Sequence, residues 1–327
     1  MTARPRIVVT RRVPQSALDL LGAAADVWLS PYDRPLSVSE LHEAIAGVDA
    51  VVTLLHDRVD NAFLDAAGPQ LRCVANVAVG YDNIDVEACT RHGVQVTNTP
   101  GVLTEATADI AMGLILAATR RFGEGERLLR AQQPWAWHMF FMLGTSLQGK
   151  TLGIVGLGEI GRATARRARA FGMEIAYFSR RRGAPEVEEE LGGARHVPLD
   201  ELLATADVVS LHCPLTDATR HLIDAVALRL MRPEAFLVNT ARGPVVDEAA
   251  LVAALRDGTI RGAGLDVFEA EPQVHPGLLE LDNVVLIPHL GSATIETRTA
   301  MAELAARNAL AVSAGEAPIT PVNDLAR

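Results

Sequence analysis

The chain has 327 residues, 49% of them hydrophobic, which is enough for two domains with sizeable cores and too apolar for a disordered protein. Its formal net charge of −10 argues against a nucleic-acid surface or an anionic membrane as partner, although a local arginine still outweighs a diffuse negative field for a small anion. Three widely spaced cysteines in apolar contexts, Cys73, Cys89 and Cys213, make neither a disulfide framework nor a zinc site; reduced thiols of this kind suit the cytoplasm.

The first elements alternate. Arg4 and Arg6 lead into a strand over 7–9 and then Arg11-Arg12, which does not read as a signal peptide. A helix is predicted over 16–24. Ser37-Val38-Ser39-Glu40 is a capping box that opens a helix to position 46. Apolar runs of strand length follow at 50–55, 73–77 and 95–98. Continuous apolar strands separated by helices predict a parallel sheet covered on both faces. A long helical pattern then runs over 104–121, with Ala108, Ala111, Leu114, Ile115 and Ala118 at helical spacing. Its many small residues predict close packing against another helix, in a domain or subunit neighbour. Residues 132–144 gather Trp135, Trp137, Phe140 and Phe141 in a chain with only 4% aromatics, a cluster expected of an interface. No apolar run approaches the ~20 uncharged residues of a membrane span.

A second alternating series starts at Thr151, with strands predicted over 151–155, 174–178, 208–211, 235–239, 262–265 and 284–286. Helices fall between them, including 160–171 and 248–256. The first turn of this series reads Val155-Gly156-Leu157-Gly158-Glu159-Ile160-Gly161. In G-x-G-x-x-G between a strand and a helix, Gly156 permits a tight turn and Gly158 lets the backbone approach a pyrophosphate. Gly161 lets the helix pack close to the strand, and the helix N-terminus attracts the anion. The pattern predicts a doubly wound dinucleotide-binding fold. A last helix over 294–313 is expected to return to the first domain, since the second sheet is already complete.

A dinucleotide fold does not name a reaction. Hydride transfer to a carbonyl also needs a cation for the substrate carboxylate, an acid to protonate the developing alkoxide, and a group that tunes the acid. Candidates follow predicted strands of the second domain: Arg242 in Asn239-Thr240-Ala241-Arg242-Gly243, Glu269 and Glu271 before Pro272, and His289 after Pro288. Singly, each reads as a surface arginine, a solvated carboxylate or a satisfied histidine. Their joint placement after successive strands points to one crevice.

Further segments complete a pattern: Asn76-Val77-Ala78-Val79-Gly80-Tyr81-Asp82-Asn83-Ile84-Asp85, Val96-Thr97-Asn98-Thr99-Pro100, and Leu103-Thr104-Glu105-Ala106-Thr107-Ala108-Asp109. With the glycine loop and the Arg242, Glu271 and His289 segments, the chain resembles the D-isomer-specific 2-hydroxyacid dehydrogenases over essentially its whole length. Within them it is similar to the glyoxylate/hydroxypyruvate reductase branch. The resemblance implies two doubly wound parallel-sheet domains. A flavodoxin-like substrate domain of residues 1–101 plus 291–327 is split by an inserted Rossmann cofactor domain of residues 102–290. It implies His289 as proton donor and Glu271, rather than Glu269, as its partner; a carboxylate beside an imidazole favours the charged form. Arg242 would bind the carboxylate and polarise the carbonyl, with the N–H groups of Val79 and Gly80 on the carboxylate's other side.

The same resemblance implies cofactor contacts at Thr104, Gly156, Leu157, Gly158, Glu159, Ile160, Gly161, Cys213, Pro214, Thr240, Ala241, Asp266 and Gly291, with Asp266 accepting from the nicotinamide carboxamide. The implied activity is reduction of a small 2-oxo acid, glyoxylate or hydroxypyruvate, to the D-2-hydroxy acid. An acidic residue ~20 positions beyond the glycine loop would hold a ribose 2′-hydroxyl. Here the strand ends instead in Ser179-Arg180-Arg181-Arg182. Ser179, Arg180 and Arg181 are expected to hold a 2′-phosphate, so NADP(H) is the expected cofactor, with NAD(H) also used. Trp137 would sit on an arm reaching a partner subunit's pocket in a homodimer; Trp135 in that role, or both as dimer core, are the alternatives. Leu55 and His56 end a strand and are expected to line the substrate pocket.

Rivals on the same fold fit less well. A phosphoglycerate dehydrogenase would carry a regulatory domain beyond Arg327, a formate dehydrogenase a Gln-His pair, and a phosphite dehydrogenase a lysine at Val79. A nucleotide-sensing corepressor or scaffold lacks a supporting recognition segment.

Overall fold

A computed structural model describes residues 4–325. The chain divides into two compact units, one of residues up to Leu103 and from Ala293 onward, the other Thr104–Ser292. The first unit runs β1 (Arg6–Val9), α1 (Gln15–Ala24), β2 (Asp26–Leu29), α2 (Val38–Ile45), β3 (Ala50–Thr53), α3 (Asn61–Ala67), β4 (Cys73–Asn76), α4 (Val86–Arg91) and β5 (Gln95–Thr97). The second runs α5 (Thr104–Thr119), α6 (Phe122–Arg130), β6 (Thr151–Val155), α7 (Glu159–Ala170), β7 (Glu174–Phe178), α8 (Pro185–Glu190), β8 (Arg195–His196), α9 (Leu199–Thr205), β9 (Val208–Leu211), α10 (Ala225–Leu230), β10 (Phe236–Asn239), α11 (Glu248–Arg256), β11 (Gly262–Leu265), α12 (Pro276–Leu279) and β12 (Val284–Leu286). Helix α13 (Ile295–Ser313) belongs to the first unit.

In the first unit the parallel strands lie in the order β2-β1-β3-β4-β5, the flavodoxin-like order. Successive strand residues alternate between two cores. Val8, Val51, Val74 and Val96 face one, and Ile7, Val9, Ala50, Val52, Cys73 and Ala75 face the other. That is why these strands are apolar at every position rather than at every second one. Helix α13 covers the second of these faces, packing on α1, β3 and β4 with Ala302, Ala305, Ala306 and Ala309 buried. Beyond it, Asn323 stitches the tail to β5: its Oδ1 accepts from Gln95 Nε2 (2.8 Å) and Val96 N (2.7 Å), and its Nδ2 donates to Val94 O (3.0 Å). The capping box at Ser37 and Glu40 is formed in both directions.

The second unit has seven parallel strands in the order β12-β11-β10-β9-β6-β7-β8. The order reverses beside β6, between β6 and β9, which is the switch point where ligands of such sheets bind. Again the strands feed two cores: Leu152, Ile154, Val208, Phe236 and Val238 on one face, Val155, Val209, Leu211 and Leu237 on the other. The small-residue helix α5 packs on α7 in this same unit and on β10 and β11, and Arg167 near the end of α7 ties that helix to Asp109 (2.6 Å) and Glu105 (2.7 Å) in the first half of α5. Its close neighbour is thus a helix of its own unit. All three cysteines are free and buried; burial pushes the thiols of Cys73 and Cys89 up to about 12. Among the described residues, no helix is long and apolar enough to cross a membrane.

Candidate active site

Parallel pairing places Val155, Leu211, Asn239, Leu265 and Leu286 at matching ends of β6, β9, β10, β11 and β12. The segments that follow therefore emerge from one edge of the second sheet. They carry the glycine loop, Cys213-Pro214, Thr240-Ala241-Arg242, Asp266 to Glu271, and His289 to Gly291.

The three glycines do three different things. Gly156 has φ +100°, and a Cβ there would lie 2.8 Å from the amide nitrogen of Cys213 and the carbonyl carbon of His212. A Cβ on Gly161 would overlap the carbonyl oxygen of Gly156. At Gly158 a Cβ would meet nothing within 4 Å. Two glycines are thus required by the protein's own packing, while the open space lies at the third. Gly158 is also the N-cap of α7 and offers no side chain to the first N–H groups of that helix. Unclaimed helix N–H groups beside open space form an anion cradle, so these residues fit a dinucleotide pyrophosphate. Thr104 donates from Oγ1 to Glu159 in the first turn of α7 (3.2 Å), and Thr107 donates to the carbonyl of Gly291 (3.1 Å).

Arg242 is placed by an asparagine. Asn239 closes β10, accepts from Ala241 N (3.0 Å) and donates to Arg242 O (2.9 Å), so the turn is folded around its side chain. His289 Nδ1 donates to Glu271 Oε2 at 2.8 Å, and Phe268 N donates to the other oxygen of Glu271 at 3.0 Å. With Nδ1 committed, Nε2 is the nitrogen left to exchange a proton with a ligand. The two side chains are 30% and 36% exposed, dry enough for a firm pair and open enough for a small molecule to reach. Burial pushes the Glu271 carboxyl up. The hydrogen bond and charge of His289, the Phe268 N–H and the charge of Arg242 outweigh it and hold the group below the usual carboxylate range. His289 has φ +52°, a left-handed conformation uncommon for a non-glycine residue and frequent at functional sites. Its backbone N–H donates to Asp266 O (2.8 Å). Asp266 is buried and directs both carboxylate oxygens at the N–H groups of Leu290 and Gly291. Its place in the site is therefore also that of a clamp on the turn behind His289.

The basic turn after β7 is ordered by a network absent from the sequence reading. Glu188 of α8 accepts from Arg182 through both oxygens (2.9 and 2.8 Å) and from the Tyr177 hydroxyl (2.6 Å), which accepts from Gly183 N (2.8 Å). These hydrogen bonds hold the Glu188 carboxyl down at about 2. Ser179 donates its hydroxyl to Arg181 O. Of the three consecutive arginines, Arg182 is held by Glu188, while Arg180 and Arg181 lie exposed at the tip.

In the first unit the predicted residues fall in two places. Val79 and Gly80 follow β4; Asn98 Nδ2 donates to Val79 O (2.8 Å) and Asn76 Nδ2 to Gly80 O (3.1 Å). Ala78 O accepts from Thr99 N (2.8 Å), so the peptides carrying the Val79 and Gly80 N–H groups are both held by their carbonyls, and neither N–H takes a protein acceptor among the described residues. Leu55 and His56 line a separate cavity of about 490 Å³ with Arg58, Asp60, Asp82 and Asn83. Burial lowers the pKa of His56 against the opposing charge of the neighbouring Asp57. In the second unit the segment after α6 leaves Trp137 (79%) and Phe140 (78%) almost fully exposed, with Trp135 stacked on Phe141 at 5.8 Å between centroids.

The orienting roles of Asn76, Asn98, Asn239, Tyr177 and Glu188 are not read from the motifs, although the three asparagines stand within them. A signal for three of them exists, since an asparagine at the carboxyl end of an apolar strand has no packing reason to be there.

Residues 112–291 match the family described as D-isomer specific 2-hydroxyacid dehydrogenase, NAD binding domain. The chain is 52% identical over 325 residues to the glyoxylate reductase of Thermococcus onnurineus (strain NA1), spanning 98% of this chain and 96% of that protein. Among solved structures, a glyoxylate reductase from Paecilomyes thermophila superposes with TM-score 0.88 at 36% identity, over 98% of this chain and 99% of the other. An NADPH-dependent glyoxylate/hydroxypyruvate reductase from Sinorhizobium meliloti, solved with NADP and malonate, gives TM-score 0.85 at 38% identity over 98% and 97%.

Proposed function

This chain belongs to the D-isomer specific 2-hydroxyacid dehydrogenase family, and from that membership we propose that it reduces glyoxylate or hydroxypyruvate to the D-2-hydroxy acid, with NADPH preferred over NADH. The observation that carries the chemistry is the 2.8 Å pair of Glu271 and His289 on the strand-end edge that also bears Arg242 and the glycine cradle. When bound, the reduced nicotinamide supplies a hydride to the carbonyl carbon. His289 delivers a proton from Nε2 to the carbonyl oxygen, and Glu271 stabilises the imidazolium from which it comes. Arg242 engages the substrate carboxylate and polarises the carbonyl; a guanidinium does this with two donors in one plane. The N–H groups of Val79 and Gly80 in the first unit are donors of the kind a substrate carboxylate takes. On this reading the unit built from both chain ends is the substrate domain and Thr104–Ser292 the cofactor domain, with Asp266 and Thr104 facing the cofactor.

Cofactor preference follows from the basic turn. The Ser179 hydroxyl is committed to the turn, so discrimination rests on Arg180 and Arg181, two exposed cations where a 2′-hydroxyl reader would carry an acid. The exposed aromatic segment around Trp137 calls for cover, and a second copy of the chain supplies it, which makes the enzyme a homodimer. Three reduced, buried thiols suit work in the cytoplasm. The experiment is a panel of 2-oxo acids, each assayed with both cofactors. Turnover of glyoxylate or hydroxypyruvate with kcat/KM higher for NADPH is expected. A strong NADH preference overturns the cofactor assignment, and absence of turnover with every acid overturns the reductase. Light scattering on the purified chain tests the dimer.

A further inference from the structure

The loop after β11 carries two carboxylates, and each meets a histidine. Glu271 takes His289, while Glu269 accepts from His221 Nε2 at 2.6 Å. Both histidines have φ +52°. A strained backbone of this kind persists only where its surroundings over-determine it.

The surroundings of His221 do so. Its N–H donates to Pro244 O (2.8 Å), and Ile223 N donates to Val245 O (3.1 Å), so the chain after Thr219 is laid against the segment that follows Arg242. Glu269 is braced a second time by Glu248, the first residue of α11. Glu269 N donates to Glu248 Oε1 (2.7 Å), and Glu248 N donates to Glu269 Oε2 (3.2 Å). Glu248 is buried, and burial together with the charges of Glu269 and Glu271 raises its carboxyl, against the Glu269 N–H that lowers it. A Cβ on Gly243 would overlap the backbone of Phe268 and Glu269, so the Arg242 turn and this loop touch with no side chain between them.

An exposed ion pair contributes little by itself. Here the pair is instead the outer end of a brace that reaches the backbone on either side of Glu269. Resting on the reductase reading above, we propose that His221, Glu269 and Glu248 are positioning residues that hold the Phe268–Glu271 loop against the Arg242 turn and so set Glu271 on His289.

The test is a double-mutant cycle. Glu269→Ala is expected to lower kcat about tenfold while KM for the cofactor stays within about twofold, and to move the alkaline limb of the reduction profile to lower pH. The charged groups facing the Glu271–His289 pair in this unit include Asp266, Arg242 and Glu248; the substitution leaves Asp266 and Arg242 in place and relieves Glu248 of the Glu269 charge. In a Glu271→Gln background the same change should cost only about twofold, since its route of action is gone. Glu269→Gln, which keeps an acceptor for Glu248 N–H, should recover most of the rate. If Glu269→Ala does not fold, His221→Gln takes its place in the cycle. Equal losses in both backgrounds, or a lowered Tm with kcat and pH profile unchanged, overturn the proposal. Nitrogen-15 spectra of the histidines separate it from the reductase reading. Whatever the enzyme turns over, the variant should weaken the Nδ1 donation of His289, and an unchanged His289 signal counts against the brace.

Discussion

The two sheets of this protein are built alike and equipped differently at their carboxyl edges. Both are parallel, both are covered on two faces, and both end in polar segments after apolar strands. On the function proposed above, the working groups at the edge of the second sheet are side chains: Arg242, Glu271 and His289. On the same reading those of the first are main-chain N–H groups: Val79 N–H, whose peptide carbonyl Ala78 O accepts from Thr99 N (2.8 Å), and Gly80 N–H, whose peptide carbonyl Val79 O accepts from Asn98. The difference teaches that a carboxylate can be handled by a charge, which needs a particular residue type, or by an oriented backbone, which needs only a partner that orients it. The first leaves a motif, and the second leaves almost none.

Removing a side chain from the charged edge should have the largest effect. His289→Gln is expected to lower kcat/KM for 2-oxo acid reduction by about 10³–10⁴ with Tm within a few degrees of the parent, as steady-state kinetics and a thermal melt would show. A loss under tenfold would remove His289 as the proton donor. Next in size is the basic turn. Arg180→Ala with Arg181→Ala should reduce the NADPH:NADH ratio of kcat/KM by about 10–100-fold, the worth of one or two charge-assisted hydrogen bonds; an unchanged ratio would locate the preference elsewhere. At the backbone edge, Asn98→Ala should raise KM for the 2-oxo acid about 3–10-fold and leave the cofactor KM unmoved, since one neutral hydrogen bond orienting the Val79–Gly80 peptide, and so the Gly80 N–H, is lost. A rise in the cofactor KM instead would break the comparison between the two edges. Glu188→Gln should shift the cofactor ratio by only about 2–5-fold, because it releases Arg182 without touching Arg180 or Arg181.

Stability against pH gives a further test of the Glu271 pair. Its carboxyl lies below the ordinary carboxylate range in the folded state. Its contribution to stability is therefore present above the unfolded value of about 4.3 and is lost as pH falls through the lower folded value. Urea melts of the parent and Glu271→Gln should differ by a constant amount above about pH 5 and converge on the acid side; a difference that persists into acid would show that the carboxylate is not the stabilising form.

Much of this was legible in residue order. The strands β6, β7, β11 and β12 coincide with the apolar runs that predict them, and the capping box at Ser37 and the glycine turn at Gly156 form as written. Two of the four edge strands, β2 and β8, were not legible. β2 is half-exposed along its length and β8 is two exposed residues, so neither carries the apolar run that marks a strand paired on both sides.

The sequence by itself determined the parallel architecture, the dinucleotide turn and the identity of the charged residues, because periodicity, glycine and charge are local properties of the chain. Only the tertiary structure decided that Glu269, two residues from the Glu271 that meets His289, meets His221, and that Arg182 is taken by Glu188. Those choices depend on where turns distant in sequence come to lie, and a carboxylate is bound by whichever donor the fold brings within about 3 Å of it.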